Sequence, residues 1–183
     1  MNIFVLDKNP SVAAEMMCDK HVVKMIVESA QMLSTAHRVL DGEQYTELSP
    51  NNRRIKRWKS PYVLIEETLY KASFVGHPCT QWVMENDKNY YWLAEHAYKL
   101  CKEYTRRYGK VHKSEDMISL IRFRKPANIA ITDSITPFAQ AMPEEYKNPN
   151  VVEAYRAYYI GEKNGFAEWK NGNVPSWYEG VVV

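Results

Sequence analysis

The sequence predicts a mainly α-helical protein, a single compact helical domain over residues 1–183 with a short extended segment at its N-terminus. Apolar residues recur at helical spacing in two long segments, residues 12–40 and 79–108. Prolines and glycines separate these segments from shorter helical stretches, and neither an internal repeat nor a low-complexity tract divides the chain. At 183 residues the chain is long enough to bury the core of one domain without a disulfide or a metal.

Each predicted element follows from a local signal. Weak apolar alternation predicts a short strand or extended arm at the start, Ser11 is a candidate N-cap, and Pro61 stands where the first turn of a helix tolerates proline. Four prolines between residues 126 and 149 predict irregular structure there. In chain order the predicted elements are the extended segment 2–7, a helix over about 12–40 that breaks near residue 18, a polar and basic loop over 42–60, and helices over roughly 61–74, 79–108 and 151–161.

Cysteine and histidine spacing argues against several kinds of site. The three cysteines, at positions 18, 79 and 101, show no CxxC spacing and leave one unpaired, unlike a disulfide framework or a thiolate zinc site. None of the five histidines forms an HxxxH or HExxH pair, so we expect no metal and no cofactor. The sequence lacks a basic leader and any run of about 18 apolar residues, so we expect a cytoplasmic protein that does not contact a membrane.

The most informative segment is a helical stretch whose ionisable residues share one face. His21, Lys24, Glu28 and Gln31 are spaced by three or four residues, and an α-helix stacks such positions on one side. This arrangement puts a base, an amine and a carboxylate within reach of one ligand. The apolar residues expected to anchor the other faces are Val23, Ile26, Val27, Ala30 and Leu33.

Asp19 and Lys20 add a second carboxylate and a second amine at the start of the same segment. A carboxylate stabilises positive charge or moves a proton, and an amine attacks a sugar carbon, so these residue types suit the cleavage of a glycosidic or an acyl bond. We expect Glu28, His21 and Lys24 to converge on a concave site. The alternative is a solvated surface helix in which Lys24 and Glu28 form an ordinary ion pair.

Two loops are candidate substrate-binding elements. His77 stands beside a proline in the loop before Gln81 and Trp82, where it either presents its ring to a pocket or caps the following helix. Phe138 and Gln140 stand in a loop bounded by prolines. A ring and an amide of this kind suit the recognition of a planar base. The chain is rich in aromatic residues, with 13 tyrosines and five tryptophans, and for those in the long helix packing in the core is the simpler explanation.

A basic segment supplies a candidate contact with a polyanion. The net charge is only +2, but residues 53–59 carry five positive charges, including Arg53, Arg54 and Arg57. We expect this segment to bind a phosphate backbone.

The segment around Asp19 and His21, with a glutamate seven residues after the histidine, resembles the phage-type pyrimidine-dimer DNA glycosylase/AP lyase family and related small uncharacterised proteins. The resemblance implies a small helical domain, a DNA substrate and a catalytic role for Glu28. In that family the nucleophile is the α-amine of residue 2, freed by removal of the initiator methionine. Further segments that resemble the family are Gly76-His77, the run from Cys101 to Gly109, and Pro175-Ser176-Trp177-Tyr178.

Residue 2 is asparagine here, and removal of the initiator methionine generally requires a small residue at that position. We therefore expect Lys24 or Lys20 to supply the amine if the enzyme forms an imine with its substrate.

Together these observations predict an enzyme that acts on DNA, as a flipped base or an intact duplex, at or near a glycosidic bond. It would be a DNA glycosylase/AP lyase, or a nucleobase-processing enzyme of a viral type, with Glu28 as the catalytic carboxylate. The alternative is a module without catalytic activity that binds DNA or protein through residues 53–59. The burial of Glu28 distinguishes the two, because a catalytic carboxylate lies in a cleft.

Overall fold

Helices dominate the part of the chain that the computed structural model describes, residues 1–170 and 173–178. The described elements are α1 (Pro10–Glu15), α2 (Asp19–Asp41), β1 (Glu43–Leu48), β2 (Arg54–Lys59), α3 (Val63–Thr68), α4 (Pro78–Glu85), α5 (Asp87–Tyr108), α6 (Glu115–Ile121), a 3₁₀ turn (Glu144–Tyr146) and α7 (Val151–Lys163).

The two longest helices, α2 and α5, form the centre of the fold. They pack against each other, α1 packs on α5, and α4 contacts both. The face of α2 that enters the core carries Val22, Met25, Ile26 and Leu33, all with at most 1% exposure. The expected apolar stripe included Val23, which is instead exposed, so the buried face begins one residue earlier than predicted.

The predicted loop over 42–60 is wrong, because these residues form an antiparallel hairpin. Glu43 pairs with Lys59 and Leu48 pairs with Arg54 at the two ends of the ladder, and residues 49–53 make the turn. The strands lack the apolar alternation of a half-buried sheet because most of their side chains are exposed.

The bounds of several helices also differ from the prediction. The segment 79–108 is two helices, because Asn86 adopts an extended conformation and its side chain accepts a hydrogen bond from the N–H of Asn89, capping α5. Helix α3 is shorter than the predicted 61–74. Residues 2–7 form no strand; this segment is largely buried, and Phe4 has a φ of 54°.

Among the described residues, none of the helices combines the length and the apolar character needed to cross a bilayer.

Candidate functional site

The carboxylate of Glu28 lies among three nitrogen atoms. Its Oε2 accepts a hydrogen bond of 2.8 Å from the backbone N–H of Asn2 and lies 3.7 Å from the α-amine of Met1. Its Oε1 is 3.5 Å from Nζ of Lys24, one turn earlier on α2. The Glu28 side chain is 13% exposed, so the carboxylate is largely enclosed but remains reachable from solvent. A partly enclosed carboxylate next to amines has the composition of an acid–base site.

The N-terminal residues are held in place by contacts with distant parts of the chain. The Sδ of Met1 accepts a hydrogen bond from the hydroxyl of Thr80, and the side-chain amide of Asn2 donates to the carbonyl of Ala141. The Met1 side chain is only 2% exposed. The amine of the first residue is therefore fixed beside Glu28 and does not move freely.

His77 lies close to this group at the start of α4. Its Nδ1 accepts a hydrogen bond from the N–H of Cys79, as an N-cap does, so in the neutral ring Nε2 carries the proton. Burial lowers the pKa of His77, the positive α-amine of Met1 lowers it further, and Glu28 acts in the opposite direction. Glu28, Lys24, His77 and the Met1 amine are hereafter called the Glu28 cluster.

The structure places His21 in an aromatic cluster, although it shares a helix with Glu28. Its ring stacks on Phe4 with centroids 4.5 Å apart, and its Nδ1 shares a hydrogen bond of 2.6 Å with the hydroxyl of Tyr159. Burial lowers the pKa of His21 to about 3, and the positive charges of Lys163 and Lys24 act in the same direction. A neutral, buried ring with an occupied Nδ1 is suited to packing.

Asp19 and Lys20 also point away from Glu28. The carboxylate of Asp19 accepts hydrogen bonds of 2.8 Å from Arg107 and from the N–H of Lys170, which joins the start of α2 to α5. Lys20 is exposed, with Nζ 5.2 Å from the centre of the Phe166 ring. The structure thus brings together Lys24 and Glu28 from the predicted catalytic set, and it places the other three residues elsewhere.

The predicted base-recognition residues make internal contacts. Trp82 is 2% exposed and stacks on Phe138 with ring centroids 4.8 Å apart, so Trp82 belongs to the core and Phe138 packs against it. Both ends of the Gln140 amide bond to the backbone of Asn148 and close a loop. Gln81 is exposed and donates to the carbonyl of Val75. From this predicted set, His77 is the residue whose pKa responds to the charge of Glu28.

Within the basic segment 53–59 the charges differ in their surroundings. Arg53 and Arg54 are exposed, whereas Arg57 donates a hydrogen bond of 2.6 Å to Glu47 across the hairpin. Arg57 is therefore already partnered by a carboxylate.

Sequence reasoning missed two features of the structure. The sequence assigns the amine to Lys24 or Lys20, because no periodic pattern indicates that the start of the chain folds onto Glu28. A cavity of about 700 Å³ also lies at the C-terminal end of α2, where His37, Tyr62 and Phe123 are among its lining residues. No predicted site residue lines it. In the described ranges there is no cluster of three or more His, Cys, Asp or Glu side chains that could hold a metal.

Comparison with known proteins supports the resemblance noted from the sequence. The family model for pyrimidine dimer DNA glycosylase matches residues 1–117, a span that contains the whole Glu28 cluster. No curated protein and no solved structure matches the chain. Since the matched span is more than half of the 183 residues, the chain belongs to the pyrimidine dimer DNA glycosylase family.

Proposed function

We propose that the protein is a DNA glycosylase with AP lyase activity on DNA that contains pyrimidine dimers, and that Glu28 is its catalytic carboxylate. The observation that carries the proposal is the position of the Glu28 carboxylate, with the Met1 amine 3.7 Å from Oε2 and Lys24 Nζ 3.5 Å from Oε1. The family match supplies the substrate class, DNA.

The chemistry needs an amine and a carboxylate in contact. The amine attacks C1′ of the damaged nucleotide, the glycosidic bond breaks, and the base leaves with the bonding electrons and takes up a proton. Opening of the sugar ring then gives an imine between C1′ and the amine nitrogen. Loss of a proton from C2′ allows the 3′ phosphate to leave. Glu28 would stabilise the positive charge that develops on the sugar and would move protons to and from the amine.

The α-amine at the start of the chain is a better nucleophile candidate than Lys24. The Met1 side chain is 2% exposed and bonded to Thr80, whereas the Lys24 side chain is 67% exposed. Holding an exposed lysine in one conformation costs more side-chain entropy. As a class, α-amines also lose their proton more readily than lysine side chains. Removal of Met1 would leave the nitrogen of Asn2 as the amine, and that atom already lies 2.8 Å from Glu28. Lys20 lies over the ring of Phe166, and it is a poorer candidate than the α-amine or Lys24.

Borohydride trapping tests the proposal. Incubation with dimer-containing duplex DNA and borohydride should yield a covalent protein–DNA adduct, and peptide mapping by mass spectrometry should locate it on the N-terminal peptide. Lys24→Ala should keep the adduct. Glu28→Gln should reduce turnover by at least about 100-fold while DNA affinity stays within a few-fold, because the carboxylate acts on the transition state. Glu67→Gln, a change of an exposed carboxylate on α3, is the matched control.

Other outcomes identify the alternatives. An adduct on the Lys24 peptide would identify Lys24 as the nucleophile. Altered bases without strand scission would indicate a nucleobase-processing enzyme of a viral type. If dimer-containing, abasic and hydroxymethylated DNA all fail to trap, and Glu28→Gln retains whatever activity is found, the glycosylase/lyase proposal is wrong.

A second function, DNA binding without catalysis, is favoured by one observation. Arg53 and Arg54 are exposed cations on a hairpin that projects from the helical core. A pure binding module would bind duplex DNA with salt-dependent affinity and would release no base from any substrate.

A further inference from the structure

The hairpin has two faces of different charge. Because side chains alternate along a strand, the observed register sorts the twelve strand residues into two sets. The inner face carries Glu43, Tyr45, Glu47, Ile55, Arg57 and Lys59. The outer face carries Gln44, Thr46, Leu48, Arg54, Lys56 and Trp58. Both carboxylates of the hairpin strands therefore lie on the inner face.

The cations of the inner face are opposed by carboxylates. Arg57 bonds to Glu47 at 2.6 Å, and Glu47 also lies 4.0 Å from Nζ of Lys71, which precedes α4. Lys59 lines a cleft together with Glu66 and Glu67 of α3. The inner face is thus turned toward the 60–71 segment, and its charges are balanced.

The outer face presents unopposed positive charge to solvent. Arg54 and Lys56 are exposed and form no ion pair within the described ranges. Leu48 is 63% exposed, and Trp58 is half-buried beside these cations. Arg53, in the turn, adds a third exposed cation at the tip. Cations interleaved with an aromatic and an apolar side chain, without a carboxylate, suit a nucleic-acid backbone.

The hairpin is fixed at its base by a buried arginine. Arg38, 3% exposed on α2, donates to the carbonyl of Trp58 in β2 and to the carboxylate of Glu66. Gly42 joins α2 to β1 at a point where an added Cβ would lie 2.4 Å from the Arg38 carbonyl oxygen. An arm with a fixed base loses little conformational entropy when it binds.

We propose that the outer face of the hairpin is a DNA-binding arm that contacts the duplex outside the lesion. This inference rests on the proposed function, which makes DNA the substrate. A two-stranded ribbon fits the major groove of B-DNA, which is about 12 Å wide, and Arg54 and Lys56 would pair with phosphates at its edge. Glu28 and Arg38 are ten residues apart on α2, which corresponds to about 15 Å, or roughly four base pairs. Contacts at that distance involve the DNA phosphate backbone and do not depend on the damaged base.

The test compares two double variants that remove the same charge. Arg54→Ala with Lys56→Ala removes the two outer-face cations, and Lys59→Ala with Lys71→Ala removes two exposed cations on the inner side. The outer-face variant should lower the magnitude of the slope of log K against log salt by about 1.8 for undamaged and dimer-containing duplexes alike. The inner-side variant should leave the slope within experimental error. Arg54→Gln with Lys56→Gln should repeat the outer-face result, and circular dichroism verifies the fold of each variant.

The outcomes separate the arm from the glycosylase. An unchanged slope in the outer-face variants, with base release by the wild-type protein intact, would overturn the arm and leave the proposed function standing. Equal slope changes in both variant pairs would also overturn it, because the effect would then follow net charge alone. Absence of any DNA binding by the wild-type protein would overturn the proposed function, and the arm with it.

Discussion

Arg38 illustrates how a single side chain joins elements that are distant in sequence. It donates to the backbone carbonyls of Trp58, Leu69 and Tyr70 and pairs with Glu66 at 2.5 Å. Burial alone would raise the pKa of Glu66, but hydrogen bonds from the Ser60 N–H and from Arg38 hold it below its usual range. The sequence showed a cation in the last turn of a helix, and its partners could not be predicted because they are mostly backbone oxygens from residues 58–70.

Arg38→Met should therefore destabilise the protein strongly. The substitution removes the donor of four backbone carbonyls, those of Trp58, Glu66, Leu69 and Tyr70, and the cation that pairs with the Glu66 carboxylate. The free energy of unfolding should therefore fall by about 3 kcal/mol in urea denaturation. Arg122→Met is the control, because Arg122 is 22% exposed and pairs with a partly exposed Glu95; its loss should cost less than about 1 kcal/mol. Equal costs for the two variants would contradict the central role of Arg38.

The sequence predicts His21 as a catalytic residue, but the structure places its ring in an aromatic cluster. Helical spacing put it on the stripe of Glu28, but spacing does not reveal that Phe4 and Tyr159 cover the ring. Tyr159 also accepts a hydrogen bond from the N–H of Cys18, so its hydroxyl serves two partners. We interpret His21 as a residue that holds α7 against α2.

Tyr159→Phe tests this interpretation. The change leaves the Nδ1 of His21 and the N–H of Cys18 without a partner, which should lower the free energy of unfolding by about 1–3 kcal/mol. Base release per folded molecule should stay within about two-fold. A large loss of turnover at unchanged stability would contradict this interpretation and would indicate that His21 takes part in catalysis.

Among the elements, the long helices were predictable and the hairpin was not. In α2 and α5 the apolar residues recur with helical period because one side of each helix enters the core, and that period is visible in the sequence. The hairpin strands expose most of both faces, so no alternation marks them. The break at Asn86 was missed because apolar residues continue on both sides of it, although asparagine is a good N-cap.

Gly42 sets the angle between α2 and the hairpin. An added Cβ would lie 2.4 Å from the Arg38 carbonyl oxygen and 2.9 Å from that of Lys59, and neither backbone atom moves without disturbing the hairpin base. Gly42→Ala should therefore lower the melting temperature and reduce DNA affinity through the arm. Gly165→Ala is the matched control, since nothing lies within 4 Å of its added Cβ. Equal melting temperatures for the two variants would show that the base of the hairpin adapts.

For the molecule as a whole, the sequence predicted the class of fold and the family. The mainly α architecture and the pyrimidine dimer DNA glycosylase family are both confirmed. The candidate site was predicted in part, because Lys24 and Glu28 are neighbours on one helix, whereas tertiary packing brings the Met1 amine to Glu28 and places His77 within the influence of both charges. Local spacing encodes the first kind of contact and carries no signal for the second. The catalytic role of Glu28 stays a prediction.

Three buried histidines should make the stability of the whole fold depend on pH in a defined window. Burial lowers the pKa of His21 to about 3 and the pKa values of His37 and His96 to about 4, against an ordinary value of 6.5. At a pH between the lowered pKa values and 6.5, these three histidines are protonated in the unfolded chain and neutral in the folded protein. The free energy of unfolding therefore falls as the pH drops through about 6.5, and it becomes independent of these groups about one pH unit above that value.

Urea denaturation between pH 7.5 and pH 5 measures this effect before the carboxylates titrate. Each of the three histidines contributes a slope that approaches about 1.4 kcal/mol per pH unit once its unfolded form is fully protonated. His96→Phe, which keeps a ring where His96 stacks on Trp92 at 5.2 Å, should remove about a third of the slope that the three buried histidines contribute. A free energy of unfolding that stays constant from pH 7.5 to pH 5 would mean that the buried rings gain protons in the folded state, and that the core opens to solvent far more readily than its packing indicates.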